Sequence, residues 1–215
     1  MNNPHQPYQK NPLLRLSYSV IAPIYDVFVE RAMRVARIAS LSTLPTSGEA
    51  KKILLSGVGT GLDLPLLPTV HHYTALDFNA AMLQRARPRG ENLCVDFALG
   101  DSMNLPFSDA QFDYVILHLI TAVVPEPSRC LSEATRVLKL GGTIILFDKF
   151  LQPKQNARLR RALTPLSKRI ATRMDVVFEE VLQAVPELTV VSDVPLMANG
   201  WFRGIVLRKT SRSIR

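Results

Sequence analysis

Cysteine is scarce in this sequence: Cys94 and Cys130 are the two in 215 residues. They are far apart and sit in apolar stretches. The expectation is therefore two buried free thiols in a reducing cytoplasm, with neither a disulfide nor a metal site. No apolar run reaches the roughly 18 residues that a membrane-spanning helix needs. The first dozen residues, MNNPHQPYQKNP, lack both the apolar centre of a signal peptide and an amphipathic transit pattern. A cytoplasmic location, peripheral on the cytoplasmic membrane, is expected. No internal repeat divides the chain, and its length suits one domain around one core. Acidic residues are short as well, 18 Asp and Glu against 26 Lys and Arg, for a net charge of +8. That excess favours an acidic partner, anionic lipid or nucleic acid. No RNA- or DNA-binding module accompanies it, so nucleic acid is not expected.

What is present is an alternation of strand and helix patterns. Apolar runs bounded by turn residues predict strands at Lys52–Ser56, His72–Leu76, Leu93–Ala98, Phe112–Leu117 and Thr143–Phe147. Helical patterns fall between them at Leu62–Leu67, Ala80–Arg87 and Pro127–Leu138, the last closed by the turn Lys139–Gly142 with a left-handed glycine cap. Such alternation argues for a parallel sheet covered on both faces. Leu188–Val194 and Trp201–Leu207, joined through Pro195–Gly200, read as an antiparallel hairpin at its edge. The α/β expectation is thus a doubly wound, mostly parallel seven-stranded sheet with an antiparallel C-terminal hairpin. In front, Pro12–Leu41 is helical in pattern and broken at Pro23, with Leu14, Tyr18, Ile21, Tyr25 and Phe28 on one face. Residues 1–41 are read as a tail and helical lid or membrane-contact segment, and 42–215 as the main domain.

Glycine is concentrated where it matters. Residues Ile53–Leu67 read ILLSGVGTGLDLPLL, with Gly57, Gly59 and Gly61 at every second position directly after the first strand. There the backbone can turn tightly and approach a ligand at the strand's carboxyl end. The second strand leads to Asp77, placed to accept both hydroxyls of a ribose. A turn with nothing bound, and an Asp that caps the helix from Asn79, are the plain alternatives. A dinucleotide fingerprint spaces its glycines G-x-G-x-x-G; here they read G-x-G-x-G. After the third strand comes ALGDSMNLPFSDAQFDYVILHL. In it Asp101 is placed to accept from an adenine amino group, with the Ser102 and Met103 backbone facing the ring.

The GVGTG loop, Asp77, GDSMNLPF, the FDYV strand and RVLKLGG follow in order across about Ile53–Phe150. Together they resemble the class I S-adenosylmethionine-dependent methyltransferases. The resemblance implies a Rossmann-like fold, S-adenosyl-L-methionine as cofactor, and methyl transfer as the activity. It implies that Gly57, Val58, Gly59 and Gly61 pass the methionine portion and that Asp77, with Phe78 beside it, binds the ribose. Asp101, Ser102 and Met103 would frame the adenine, and His118 would contact the cofactor from the fourth strand. Ser56 departs from the pattern, which leads us to expect an acid orienting the methionine ammonium. A serine keeps a hydrogen-bonding group there without the charge.

At the level of the methyl acceptor, YDVF at Tyr25, GVGTGLDLPLLP, LITAVVPEPSRCLSEATRVLKLGG and FDKF resemble bacterial phosphatidylethanolamine N-methyltransferases. This implies a lipid substrate and a place in phospholipid biosynthesis. Quinone methyltransferases share LPF-x-D-x-x-FD and an early YD, and remain the alternative. A noncatalytic cofactor-fold protein that binds an acidic partner is the alternative from another class. The (N/D)-P-P-(Y/F) signature of DNA amino-methyltransferases is missing after the fourth strand, and no cysteine cluster suits arsenic. In-line transfer to a neutral amine is mostly positioning and desolvation. Tyr18, Tyr25 and His118 are the candidates for orienting the amine or relaying its proton, against plain readings as helix packing and a strand cap. His71 and His72 read as surface residues. Between Leu151 and Met174, Lys154, Arg158, Arg160, Arg161, Lys168, Arg169 and Arg173 stand without an acid among Leu159, Leu163, Leu166 and Ile170. A basic helix with an apolar stripe suits an anionic membrane surface.

Overall fold

The computed structural model describes residues 33–151 and 176–211. Tyr18, Tyr25 and the basic stretch 152–174 lie outside them. A helix, α1, occupies 33–41. Strands follow at β1 (Lys52–Ser56), β2 (His72–Asp77), β3 (Cys94–Leu99), β4 (Phe112–His118), β5 (Leu138–Lys149), β6 (Leu188–Met197) and β7 (Phe202–Lys209). Helices α2 (Ala80–Ala86), α3 (Pro127–Val137) and α4 (Phe178–Leu182) are α-helical, and Leu64–Leu66 and Arg87–Gly90 form short 3-10 turns. The strands form one seven-stranded sheet of order β3-β2-β1-β4-β5-β7-β6. β1 to β5 pair in parallel, while β7 runs antiparallel between β5 and β6. The doubly wound sheet and its antiparallel hairpin are as the sequence predicts. The order reverses at β1, which has β2 on one side and β4 on the other. Ligands of open α/β sheets bind outside the strands' carboxyl ends at such a point.

Side chains alternate across a strand, and this alternation divides the core. On one face Ile53, Leu55, Tyr73, Ala75, Ile116 and Ile145 pack with Leu41 and Leu44 near the end of α1, Leu64, and Leu83 of α2. On the other, Leu54, Leu76, Val115, Leu117, Ile144 and Leu146 pack under α3 and α4 through Leu131, Ala134, Phe178 and Val181. Asp77 and His118 continue the first of these rows, whereas Ser56 continues the second. Truncating Ile53, Leu54 or Ile116, each fully buried, to alanine would cost about 2–5 kcal/mol. Arg203 of β7 pairs with Asp193 of β6 and, at 2.9 Å, with Glu179 of α4, and lies 5.3 Å from the Phe178 ring centroid. These contacts fix the hairpin to the last described helix. No helix among the described residues is long and apolar enough to cross a membrane.

Several local expectations are corrected. The helix expected at Leu62–Leu67 is a single 3-10 turn, Leu64–Leu66, because Pro65 stands in its first positions and Pro68 follows. α3 stops at Val137 with Leu138 already extended. Gly141, at φ +75, therefore lies within β5 beside a register shift and not in a helix cap. The hairpin connection is shorter than expected because β6 continues through Pro195 to Met197; an edge strand tolerates that proline. Cys94 is exposed on the edge strand β3, with Sγ 3.0 Å from His72 Nδ1. Cys130 is buried, which pushes its thiol up to about 12. His71 is buried too: its Nε2 meets Pro45 O at 2.7 Å and its Nδ1 accepts from Lys51 N at 3.2 Å.

Candidate functional site

The glycine loop leaves β1 and is pinned at once to β2, since the amides of Gly57 and Val58 both donate to Leu76 O, at 2.8 and 2.9 Å. The three glycines have positive φ but different surroundings. A Cβ on Gly57 would strike Ile120, and one on Gly61 would come 2.9 Å from the Ala86 backbone. A Cβ on Gly59 would meet nothing within 4 Å. Gly57 and Gly61 thus permit close packing, while Gly59 borders open space.

Asp77 ends β2 beside that opening and is buried. Its Oδ2 accepts from Gly59 N at 2.8 Å and its Oδ1 from Asn79 N at 2.9 Å. Burial raises the carboxyl from its ordinary value, and the amide bonds oppose that shift. The side chain that caps α2 is Asn79, which accepts from Ala81 N at 2.9 Å. The Phe78 amide bonds the same carboxylate; with about four acceptor sites in all, Asp77 keeps room for a hydroxyl donor. Phe78 follows and is 41% exposed.

Gly100 N donates to Asp77 O at 3.0 Å and brings the segment after β3 alongside. Asp101 is exposed, and its Oδ1 accepts from Met103 N at 2.8 Å. The Met103 amide therefore addresses Asp101, and the Met103 side chain packs into the core. Ser102 is buried, its hydroxyl accepting from Ser56 Oγ at 2.8 Å. Sequence reading overlooked the clamp behind this segment. Arg136 of α3 donates to Leu105 O, Phe107 O and Asp109 at 2.9, 2.8 and 2.7 Å, while Glu133 accepts from Leu105 N at 2.8 Å. Both residues lie in or beside the RVLKLGG motif that marked the resemblance.

His118 ends β4, two strand spacings from Asp77, about 10 Å by ordinary sheet geometry. It is buried, not a simple strand cap. Its Nδ1 lies 3.0 Å from Asp63 Oδ1 and its Nε2 3.1 Å from Ser40 Oγ, and Arg37 Nη1 donates to the same Asp63 oxygen at 2.7 Å. Burial opposes charge on Asp63, but His118 and Arg37 outweigh it and hold the carboxyl below the usual carboxylate range. Arg37, Ser40 and Asp63 were missed because they come together only in three dimensions; the D in GTGLDLP was the available signal. Asp148 was missed likewise. Buried at the carboxyl end of β5, it accepts from Ala122 N at 2.9 Å and Lys149 N at 2.8 Å, and burial pushes it up to about 6.

The residues present fit an adenosine-bearing cofactor. A buried carboxylate faces an opening that a Cβ on Gly59 would enter, with an exposed aromatic ring and a second carboxylate nearby. At the end of β1 the side chains are Leu55 and Ser56, neither of them charged.

Comparison with known proteins agrees. The methyltransferase domain family model matches residues 54–146. A phosphatidylethanolamine N-methyltransferase of Cereibacter sphaeroides is 35% identical over 156 residues, covering 70% of this chain and 76% of that protein. The ubiquinone/menaquinone biosynthesis C-methyltransferase UbiE of Ruegeria sp. (strain TM1040) is 30% identical over 61% of this chain, which spans about half of that relative, 54%. In fold, the chain matches a putative methyltransferase solved in complex with the Haloferax volcanii Trm112 activator. The TM-score is 0.72 at 18% identity, over 90% of this chain and 98% of that one. A relative of this identity and extent, on this fold, places the chain in the class I S-adenosylmethionine-dependent methyltransferases: it is a methyltransferase, and S-adenosyl-L-methionine is its cofactor.

Proposed function

We propose that this methyltransferase N-methylates the phosphatidylethanolamine headgroup at the cytoplasmic surface of a membrane, on the way to phosphatidylcholine. The observation that carries the reading is the extent of similarity. It covers 76% of the Cereibacter sphaeroides phosphatidylethanolamine N-methyltransferase, against 54% of the Ruegeria quinone enzyme. The basic, acid-free run from Lys154 to Arg173 supports it from sequence alone, as a composition suited to anionic lipid.

When bound, S-adenosylmethionine would supply an electrophilic methyl group for transfer to a neutral amine. The chain's own work is to hold, orient and deprotonate. Asp77 takes the ribose hydroxyls, Phe78 offers the adenine an apolar face, and Asp101 accepts from its amino group. Gly57, Val58, Gly59 and Gly61 pass the methionine portion, with Ser102 and Met103 shaping the loop opposite. Tyr18 and Tyr25 are assigned to orienting the amine on the sequence alone. The headgroup ammonium must lose one proton before it attacks, and His118, reached through the Ser40 hydroxyl, takes it up.

The test is incubation of the full chain with labelled S-adenosylmethionine and vesicles of phosphatidylethanolamine and an anionic lipid, with mass spectrometry of the lipids. Mono-, di- or trimethylated phosphatidylethanolamine is expected. Methylation of demethylmenaquinone with the lipid unmodified would replace this reading with the quinone one, which the Ruegeria relative favours. Cofactor binding with no methylation of either would point to a binding protein.

A further inference from the structure

We propose that Asp63, held by Arg37, is the positioning residue that sets the ring state of His118, and that Ser40 carries that setting to helix α1. The proposal rests on the assignment of His118 to the methyl-transfer site and is independent of which acceptor is methylated.

Arg37 and Ser40 stand three residues apart on α1 and so share one side of it. Asp63 closes the glycine loop and His118 ends β4. All four are buried. Asp63 Oδ1 is the common acceptor, 2.7 Å from Arg37 Nη1 and 3.0 Å from His118 Nδ1. An ionised carboxylate only accepts, so Nδ1 must carry the proton of a neutral ring. The lone pair is then on Nε2, which accepts from Ser40 Oγ at 3.1 Å. When the ring is protonated, Nε2 donates to the same hydroxyl, and a hydroxyl can fill either role. The ring therefore changes state without breaking its link to α1, the helix that follows Tyr18 and Tyr25 in the chain.

Asp63 is suited to this work because Arg37 and His118 keep its carboxyl ionised despite burial. On β5 the ring meets the uncharged Phe147 side chain, 5.5 Å between centroids. Arg37 Nε is buried without a hydrogen-bond partner among the described residues, so the guanidinium is oriented through its Nη1 bond to Asp63. The order Ser40, His118, Asp63 is also that of a hydrolytic nucleophile and its base. Ser40, 6% exposed and within a helix, is closed to an acyl group; taking up and returning a proton needs no such access.

Two substitutions act in opposite directions. Asp63→Asn keeps an acceptor oxygen and removes the negative charge, so the titration midpoint of the His118 ring falls. Arg37→Gln keeps a donor to Asp63 and removes the competing positive charge, so the midpoint rises. Each shift is expected to be about one pH unit. The experiment follows ring-nitrogen NMR signals of the full-length protein with S-adenosylhomocysteine from about pH 5 to 9. The chain has four histidines, and His118→Gln identifies the relevant signals. The parent should show the Nδ1–H tautomer when neutral, and the pH profile of turnover should move with the ring in both variants. An Nε2–H tautomer in the parent, or shifts that are absent or of one sign, overturns the proposal. Should Asp63→Asn fail to fold, the upward shift in Arg37→Gln decides alone. The vesicle assay runs beside it: a protein that titrates as expected but leaves phosphatidylethanolamine unmethylated keeps the Asp63 assignment and loses the lipid reading.

Discussion

Ser56 donates a 2.8 Å hydrogen bond to Ser102, and both hydroxyls are buried. The bond joins the end of β1 to the segment after β3, although β2 lies between those strands in the sheet. It occupies the sheet face opposite Asp77 and His118. Ser56→Ala should therefore lower stability by about 1 kcal/mol, the usual net value of one buried hydrogen bond. Ser56→Glu places an uncompensated charge in that pocket and should lower it by several kcal/mol. Urea unfolding measures both, and a glutamate variant as stable as the parent would show that position 56 addresses solvent or the cofactor instead.

Gly59 and Gly61 should fail differently as alanine. Both have positive φ, which costs a residue with a Cβ about 1–2 kcal/mol. At Gly61 the added methyl also comes within 2.9 Å of the Ala86 backbone, so the fold must shift. At Gly59 it enters open space, and the main effect falls on the cofactor. Thermal unfolding and titration with S-adenosylhomocysteine together separate the two: Gly61→Ala loses stability first, Gly59→Ala affinity first. The reverse pattern would move the cofactor away from Gly59.

Asp77→Ala should weaken S-adenosylhomocysteine by roughly 10- to 100-fold, given about 1.5–3 kcal/mol for a hydrogen bond to a charged group. The substitution also releases the amides of Gly59 and Asn79, so some loss of stability accompanies it. Calorimetry at a temperature where the variant remains folded is the measurement. Unchanged affinity would take the ribose away from Asp77.

The sheet was legible because its signal is local. Residues Lys52–Ser56 and Phe112–His118 are nearly continuous apolar runs, as strands buried on both faces must be, and the glycines after Ser56 mark the turn at the reversal of strand order. The short turn at Leu64–Leu66 was misread because apolar spacing outweighed the two prolines. At the site, Asp77 could be found from its place after a strand. The quartet of Arg37, Ser40, Asp63 and His118 could not, because its members are up to 81 positions apart in the chain and no periodicity relates them. Ser56 and Ser102 meet for the same nonlocal reason, and a single serine in a motif does not announce its partner.

Asp148 should give stability a pH dependence of its own. Its carboxyl is raised from 3.8 to about 6 because burial disfavours the charge, and the amides of Ala122 and Lys149 offset that only in part. Between those values the folded chain holds a proton that the unfolded chain has released. The stabilisation is therefore complete below about pH 4, is lost as pH rises towards 6, and changes no further above that. A shift of about two units corresponds to roughly 3 kcal/mol. Asp148→Asn removes the titration, keeps one acceptor oxygen, and turns an amide group towards neighbouring N–H donors, costing about 1–3 kcal/mol in its own right. Urea unfolding of both proteins from pH 4 to about 7 should thus give a difference in stability that changes with pH through this window. The Ala122 amide ties Asp148 to the loop whose Ile120 lies against Gly57, so a looser loop in the variant should also weaken cofactor binding modestly. Parallel stability curves for parent and variant would mean that Asp148 is not protonated in the folded chain at these pH values, and that the loop after β4 is held by a carboxylate charged throughout.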